Sequence, residues 1–131
     1  MAVVSKSFYL EVKKRLGITA MSEADWLLLC HVWQAAEGGT AMHNPFNCTK
    51  KMAGSTDYNS IGVQNYVSKE QGIEATVAMI KQANMADIYT AMKNNADPYY
   101  TGVMIGDSPW GTDIKEFVRV LALNYDYGAK R

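Results

Sequence analysis

The chain has 131 residues, with 13 basic and 13 acidic side chains and a formal net charge of zero. This length suits one compact domain, residues 1–131, which can bury a core without disulfides or metals, and the balanced charge argues against a nucleic-acid partner. No apolar stretch approaches the roughly 18 residues that a membrane helix needs, and the start of the chain lacks the pattern of a secretory signal peptide.

The first predicted helix follows Ser7. Phe8, Val12 and Leu16 recur about every four residues, and Gly17 is a natural stop just past the end of the helix. This spacing predicts a helix with one apolar face.

The second predicted helix begins after Ser22, a good N-cap residue, and ends at Gly38. Nearly all of its faces are apolar, and His31 and Gln34 form only a thin polar strip. A helix that is apolar almost all round is predicted to lie at the centre of the protein.

Residues 40–67 lose the helical period and are rich in Asn, Gly, Ser, Thr and Pro. Short alternation around Ile61, Val63 and Val67 predicts a small hairpin or an extended loop. A mostly irregular segment of this length is unusual in a compact domain and tends to be functional.

Helices are predicted again beyond this segment. Ser68 and Gln71 form a capping box that opens the third helix, and the fourth begins around Asn84. Residues 97–111 are predicted to form a second polar loop because they contain Gly and Pro, and Thr112 is predicted to cap the last helix. The result is a mainly α domain of about five helices around a buried central helix, with a small β element.

Glu37 is the first candidate for chemistry because it ends the buried helix. Cys30, Trp33 and Glu37 are spaced i, i+3 and i+7, so the carboxyl group shares a face with two bulky apolar side chains. Burial and the negative end of the helix dipole both disfavour the ionised form. A carboxylic acid that stays protonated near neutral pH is what a general acid requires. The alternative is that Glu37 points into solvent past the last turn.

A distinctive order of motifs runs from the second predicted helix to the last. The motifs are Glu37 at a helix end, Asn44-Pro45-Phe46-Asn47, Tyr58-Asn59-Ser60, Ser68-Lys69-Glu70-Gln71-Gly72 and Pro109-Trp110-Gly111-Thr112. This order resembles the lysozyme-like superfamily of peptidoglycan glycosidases, as found in phage lysins, tail-associated lysozymes and bacterial glucosaminidases. The resemblance covers residues 26–112 and implies a lysozyme-like fold.

The resemblance also implies an activity, which is cleavage of the linkage between N-acetylmuramic acid and N-acetylglucosamine with Glu37 protonating the glycosidic oxygen. In a glycoside hydrolase a second carboxylate completes the reaction, and Asp57 is the best candidate unless it is an ordinary turn residue. In a lytic transglycosylase a hydroxyl of the sugar itself attacks, and one Glu is enough. Asn59 or Ser60 could instead orient water or an acetamido group.

Aromatic and amide side chains in the two polar regions suit a neutral, hydroxyl-rich ligand, because sugar rings stack on aromatic faces and their edges bind amides. The candidate substrate-binding residues are Asn44, Asn47, Tyr58, Asn59, Ser60, Tyr66 and Trp110. For Tyr66 and Trp110 the alternative is a core anchor with a polar tip. Trp26 and Trp33 are expected in the core.

The cysteines and histidines suggest little chemistry of their own. Cys30 and Cys48 could form one bridge, but two buried free thiols are the favoured prediction. His31 and His43 lack neighbouring ligands at suitable spacing, so no metal site and no cofactor is expected. Cys48 and His43 lie five positions apart in a loop, which leaves a peptidase as a minor alternative.

The main alternative from another class is a non-catalytic virion structural or assembly protein with a lysozyme-like fold, because a fold does not guarantee a function. For the enzyme, the expected partners are peptidoglycan glycan strands and other virion or tail proteins, without nucleic acid or a membrane span. Since the chain lacks a basic excess, a signal and a wall-binding module, we expect a phage-encoded protein that is virion-associated or delivered to the bacterial cell wall.

Overall fold

The computed structural model describes the backbone of residues 4–129 and the side chains of residues 4–124. Regular structure within this part consists of six α-helices and one pair of short strands. In chain order these are α1 Lys6–Leu16, α2 Glu23–Glu37, β1 Thr56–Asp57, β2 Gln64–Asn65, α3 Lys69–Ile80, α4 Ala86–Lys93, α5 Pro98–Asp107 and α6 Ile114–Ala129, with a 3₁₀ turn at Ala83–Met85. The prediction of a mainly α protein with a small β element is confirmed.

Helix α2 is the central helix of the core, as its apolar composition predicts. It packs against α1 and α6, and Trp26, Val32 and Trp33 on it are fully buried. The Ser22 side chain accepts a hydrogen bond from the Asp25 N–H at 3.1 Å, and Gly38 ends the helix in the left-handed conformation. The predicted N-cap residue Ser22 and the predicted stop at Gly38 therefore agree with the observed ends of α2.

The capping signals around α1 and α3 are also confirmed. Gly17 ends α1 in the left-handed conformation, and Ser68 accepts a hydrogen bond from the Gln71 N–H at 3.1 Å. The Gln71 side chain reaches back to the Val67 N–H at 3.0 Å, one residue before the cap itself. This variant of the capping box satisfies a backbone donor just outside the helix.

The prediction of a second polar loop at residues 97–111 is wrong, because most of this segment is α5. Asp97 caps the helix by accepting a hydrogen bond from the Tyr99 N–H at 2.8 Å. Pro98 occupies the first turn, where its missing N–H costs no helical hydrogen bond. The Asp97-Pro98 pair therefore marks the start of a helix and not a turn.

The two glycines inside α5 allow close packing on α6. A methyl group at Gly102 would lie 2.4 Å from the ring of Phe117, and one at Gly106 would lie 2.0 Å from the side chain of Ile114. Glycine normally weakens a helix, but here it lets two helices approach closely. Tertiary packing therefore outweighs the local preference.

Thr112 does not cap α6, which corrects a second prediction. The Asp113 carboxylate accepts hydrogen bonds from the Lys115 N–H at 2.9 Å and the Glu116 N–H at 3.3 Å. Asp113 therefore takes the capping role, since its carboxylate satisfies free N–H groups of the first turn. The Thr112 hydroxyl contacts Glu37 instead.

The region between α2 and α3 is mostly irregular, with a small hairpin as predicted. Strands β1 and β2 are antiparallel, with Thr56 opposite Asn65 and Asp57 opposite Gln64. Both cysteines are buried and free, which confirms the favoured prediction. Within residues 4–129, no helix has the length and apolar character needed to cross a bilayer.

Candidate active site

Glu37 is the last residue of α2, and its half-buried carboxyl group is held from two sides. The side-chain amide of Asn47 donates to Glu37 Oε1 at 2.9 Å and to the Glu37 carbonyl oxygen at 3.0 Å. The Thr112 hydroxyl donates to Glu37 Oε2. The loop after α2 and the segment before α6 therefore meet at this carboxyl group.

Aromatic side chains pack around the Trp33 indole, which contacts Thr112. The Trp33 indole N–H donates to Thr112 Oγ1 at 3.2 Å. The Trp33 ring stacks on Phe46 with centroids 4.1 Å apart and meets the Trp110 ring edge-on at 4.8 Å. This packing fixes the indole, and with it the hydroxyl that contacts Glu37.

The environment of Glu37 favours its protonated form. Burial raises the pKa of the Glu37 carboxyl group above its ordinary value, while hydrogen bonds from Thr112, Asn47 and Trp33 act in the opposite direction. Burial is the largest of these effects on the pKa, and it acts upward because removal from water penalises the charged form. The direction agrees with the expectation from the helix end and its apolar neighbours.

Asn47 owes its position to an unusual backbone conformation. Its φ is 55°, in the left-handed region that Asn tolerates better than most residues. Its amide also satisfies the carbonyl oxygen of Glu37, one of the last carbonyls of α2. Asn47 therefore ties the helix end to the loop and orients the Glu37 carboxyl group at the same time.

Asn44 lies inside this loop and is fully buried. Its amide nitrogen donates to the carbonyl oxygens of Cys48 at 2.9 Å and Gln64 at 2.7 Å, and its carbonyl oxygen accepts from the Cys48 N–H at 2.7 Å. The structure places Asn44 where it shapes the loop and joins it to β2, away from any ligand surface.

The hairpin lies beside the segment that follows Glu37. The Tyr58 hydroxyl and the Thr40 hydroxyl are 2.5 Å apart. The Asn65 side chain accepts from the Met42 N–H at 3.1 Å, and the Met42 carbonyl oxygen accepts from the Tyr66 N–H at 2.9 Å. These bonds bring the exposed side of the hairpin to the neighbourhood of the candidate acid.

Asp57 is exposed on β1, so it is a strand residue and not part of a turn. Its Oδ1 accepts a hydrogen bond from Gln64 Nε2 at 2.7 Å. The Gln64 side chain is buried, and its Oε1 accepts from the Ser55 hydroxyl at 2.7 Å. Gln64 therefore fixes the orientation of the Asp57 carboxylate.

The remaining candidate residues divide into exposed and anchored side chains. Asn59 and Ser60 are exposed in the connection between the strands, and Asn59 Oδ1 accepts from the Val63 N–H at 3.0 Å. Tyr66 is buried, and its hydroxyl donates to the Lys50 carbonyl oxygen at 2.7 Å. This contact matches the alternative of a core anchor with a polar tip.

Trp110 combines an anchored edge with partial exposure. Its indole N–H donates to the Phe46 carbonyl oxygen at 2.8 Å, and the residue is half-buried against the core. Trp110 therefore holds the segment before α6 against the loop after α2.

The site offers little support for cysteine or metal chemistry. Cys48 is fully buried, its Sγ lies 3.8 Å from the Thr76 hydroxyl, and burial raises its pKa to about 12. A buried neutral thiol is a poor nucleophile. Among the side chains of residues 4–124, no three His, Cys, Asp or Glu residues form a group that could hold a metal ion.

Three contributors to the site were absent from the sequence-based candidates. Thr112 was interpreted as a helix cap, Trp33 as a core residue and apolar neighbour of Glu37 without a hydrogen-bonding role, and Gln64 was given no specific role. Only Thr112 had an available signal, because Asp113 with Glu116 three positions later is a capping pattern that frees the threonine for another role.

Comparison with known proteins found no match to this chain among protein-family models, curated proteins or solved structures. Function therefore has to be argued from the geometry of the site and from the order of the motifs, since a fold alone does not determine activity.

Proposed function

We propose that the chain is a lysozyme-like module that cleaves peptidoglycan glycan strands between N-acetylmuramic acid and N-acetylglucosamine. Glu37 is the general acid. One observation carries this proposal: a half-buried carboxyl group with a raised pKa ends the central helix and is oriented by Asn47 and Thr112. The order of motifs in the sequence points to the same chemistry.

The proposed reaction begins with proton transfer from Glu37 to the glycosidic oxygen. Burial raises the pKa of the Glu37 carboxyl group and so favours the form that can donate a proton, and the bond to the leaving sugar breaks as the oxygen takes that proton. The Asn47 amide and the Thr112 hydroxyl then stabilise the carboxylate that forms. Burial therefore favours the protonated acid before the step, and the two donors stabilise the carboxylate after it.

Asp57 is the proposed second carboxylate of a hydrolytic reaction. It is exposed on the hairpin beside the loop that follows Glu37, and Gln64 orients it. A lytic transglycosylase would not need it, because the sugar supplies the attacking hydroxyl. Asp57→Asn separates the two reactions: a loss of several orders of magnitude supports a catalytic partner, and a small effect supports the transglycosylase.

The sugar chain is proposed to bind along the exposed side of the hairpin. Tyr58 is 46% exposed and Asn59 and Ser60 lie next to it in the chain, so an aromatic face and polar groups are available together. The half-buried Trp110, whose indole N–H donates to the Phe46 carbonyl oxygen in the loop after α2, is proposed as a second aromatic surface. This combination suits sugar rings with polar edges.

The central test compares wild type with Glu37→Gln on purified peptidoglycan, with the soluble muropeptides analysed. We expect the variant to lose at least about a thousandfold in rate, because the amide has no transferable proton. Far-UV circular dichroism and the Tm of both proteins check that the fold is kept. Full activity in a folded Glu37→Gln would refute the role of Glu37. Anhydro ends identify a transglycosylase, and reducing ends a hydrolase.

One observation favours the alternative of a non-catalytic virion structural or assembly protein. Both carboxyl oxygens of Glu37 have internal partners, so the residue also joins α2 to Asn47 and Thr112. In this case wild type releases no muropeptides from several wall types, and Glu37→Gln changes stability alone. If the chain is an enzyme, we propose that a phage particle or tail holds it at the wall. Robust lysis by the isolated chain at low concentration would contradict that dependence.

A further inference from the structure

We infer that Thr112 is a positioning residue, which links the Trp33 indole to Oε2 of Glu37 and so fixes the orientation of the carboxyl group. The inference rests on the proposed function, because it assigns a task to Thr112 within the proton-transfer step. It also predicts that the Trp33 indole resonance follows the titration of Glu37, which can be measured without any substrate.

The direction of the hydrogen bonds follows from the chemistry of the three groups. The Trp33 indole N–H can only donate, and it donates to Thr112 Oγ1 at 3.2 Å. The threonine hydroxyl has one proton of its own, and Glu37 Oε2 is its acceptor. Thr112 is buried, so water has little access to replace either partner. The order is therefore Trp33 to Thr112 to Glu37.

The two oxygens of the Glu37 carboxyl group are held by different segments. Thr112, just before α6, donates to Oε2. The Asn47 amide carries two N–H groups and donates to Oε1 and to the Glu37 carbonyl oxygen. Thr112 is therefore the contact that fixes Oε2, and Asn47 is the contact that fixes Oε1.

The proposed transfer balances without another reactant. The O–H bond of the Glu37 carboxyl group breaks, the proton goes to the glycosidic oxygen, and the electron pair stays on the carboxylate. Thr112 remains the donor to Oε2 throughout. It therefore needs no rearrangement during the step, and a donor that is already in place costs no reorganisation.

The groups that influence Glu37 are uncharged. Its pKa responds to burial first, and then to hydrogen bonds from Thr112 before α6, Asn47 in the loop and Trp33 on α2. Among the described side chains, the Cys48 thiol is a titratable group that interacts with it, and the pKa of about 12 keeps this thiol neutral. Loss of one donor should therefore move the titration of Glu37 without interference from a neighbouring charge.

The first test compares Thr112→Val, which removes the hydroxyl at nearly constant shape, with Thr112→Ser, which keeps it. The Glu37 side-chain carboxyl carbon is titrated by NMR in both. We expect the pKa of Glu37 to rise further in Thr112→Val and to stay near that of wild type in Thr112→Ser. With peptidoglycan, kcat should fall roughly 100-fold in Thr112→Val with little change in KM. An unchanged Glu37 titration in a folded Thr112→Val overturns the inference.

A second test uses unmodified protein, so it holds even if Thr112→Val fails to fold. The indole N–H resonance of Trp33 is followed against pH. If the hydrogen-bond order is correct, this resonance moves with the same midpoint as the Glu37 carboxyl carbon. Trp26 is the matched control, because its indole N–H donates to the Tyr9 carbonyl oxygen at 2.6 Å and should not respond. A Trp33 resonance that ignores the Glu37 titration overturns the inference.

The two proposals fail in different ways. If wild type releases no muropeptides while Trp33 and Glu37 titrate together, the enzymatic function is refuted and Thr112 still controls the carboxyl group. If wild type is active but neither NMR test responds, Glu37 is the acid and Thr112 is only part of the packing.

Discussion

Two glycine-containing regions, the segment between α2 and α3 and helix α5, are stabilised in opposite ways. Between α2 and α3, side-chain amides take the place of regular structure: Asn44 alone makes three hydrogen bonds to backbone groups. In α5, the backbone bonds are helical, and Gly102 and Gly106 let it pack closely on α6. The first region is therefore vulnerable to the loss of a polar group, and the second to the gain of a methyl group.

The largest expected effect is that of Asn44→Ala in the first region. The change removes three hydrogen bonds of a buried side chain, to the Cys48 N–H and to the carbonyl oxygens of Cys48 and Gln64. The Cys48 carbonyl oxygen keeps its bond from the Gln64 N–H at 3.1 Å. We expect the free energy of unfolding to fall by about 3 kcal/mol, measured by urea denaturation. The control is Asn59→Ala, an exposed residue with one bond to the Val63 N–H, where about 1 kcal/mol is expected. Equal losses in the free energy of unfolding would mean that burial does not increase the contribution of the Asn44 amide over that of Asn59.

The next effect is that of Gly102→Ala in the second region. Alanine favours a helix over glycine by about 1 kcal/mol, yet the new methyl group would lie 2.4 Å from the buried Phe117 ring. Overpacking should prevail and lower the free energy of unfolding by about 2 kcal/mol. Gly111→Ala is the control, because the nearest atom is 4.0 Å away and only the left-handed backbone opposes it, at about 1 kcal/mol. A Gly102→Ala variant more stable than wild type would show that α5 and α6 can move apart enough to accept the methyl group.

The smallest effect is the pH dependence of stability at Glu37, which ends α2 just before the first region. Its folded-state pKa is raised above the ordinary 4.5, so the native state binds more protons than the unfolded state between these two values. The free energy of unfolding should therefore decrease as pH rises through that window, and the contribution should level off above the folded pKa. The effect is small because Thr112 and Asn47 partly offset burial.

Glu37→Gln provides the reference for this pH dependence, because it does not titrate. The free energy of unfolding of both proteins is measured from roughly pH 4 to pH 8. The difference between them should change in favour of the variant as pH rises. Parallel curves would show that the pKa of Glu37 is not raised by folding.

Part of the candidate site was predictable because its signal is local. Glu37 ends an apolar helix that Ser22 and Gly38 delimit, and caps act within a few residues of the helix end. Its raised pKa follows from that position once the helix is buried. A local pattern therefore identified the half-buried carboxyl group and the direction in which its environment shifts the pKa.

The partners of Glu37 were less accessible to sequence reasoning. Thr112 contacts Glu37 across 75 positions of sequence, and although the capping pattern of Asp113 and Glu116 frees its hydroxyl, no local pattern indicates that Glu37 is its partner. Asn44 and Asn59 are the same residue type in the same polar region, yet one is fully buried and the other exposed. Which amide faces inward depends on the neighbours that the fold supplies.

The amino-acid sequence by itself determined the helices whose periodicity and caps lie within a few residues, namely α1, α2 and α3, and the irregular character of residues 40–67. Only the tertiary structure decided that residues 98–107 are helical, since their glycines are tolerated through contact with Phe117 and Ile114. It also decided which groups meet at Glu37. The physical reason is range: capping and helical periodicity act between near neighbours in sequence, whereas burial and hydrogen bonding at the site depend on segments that only folding brings together.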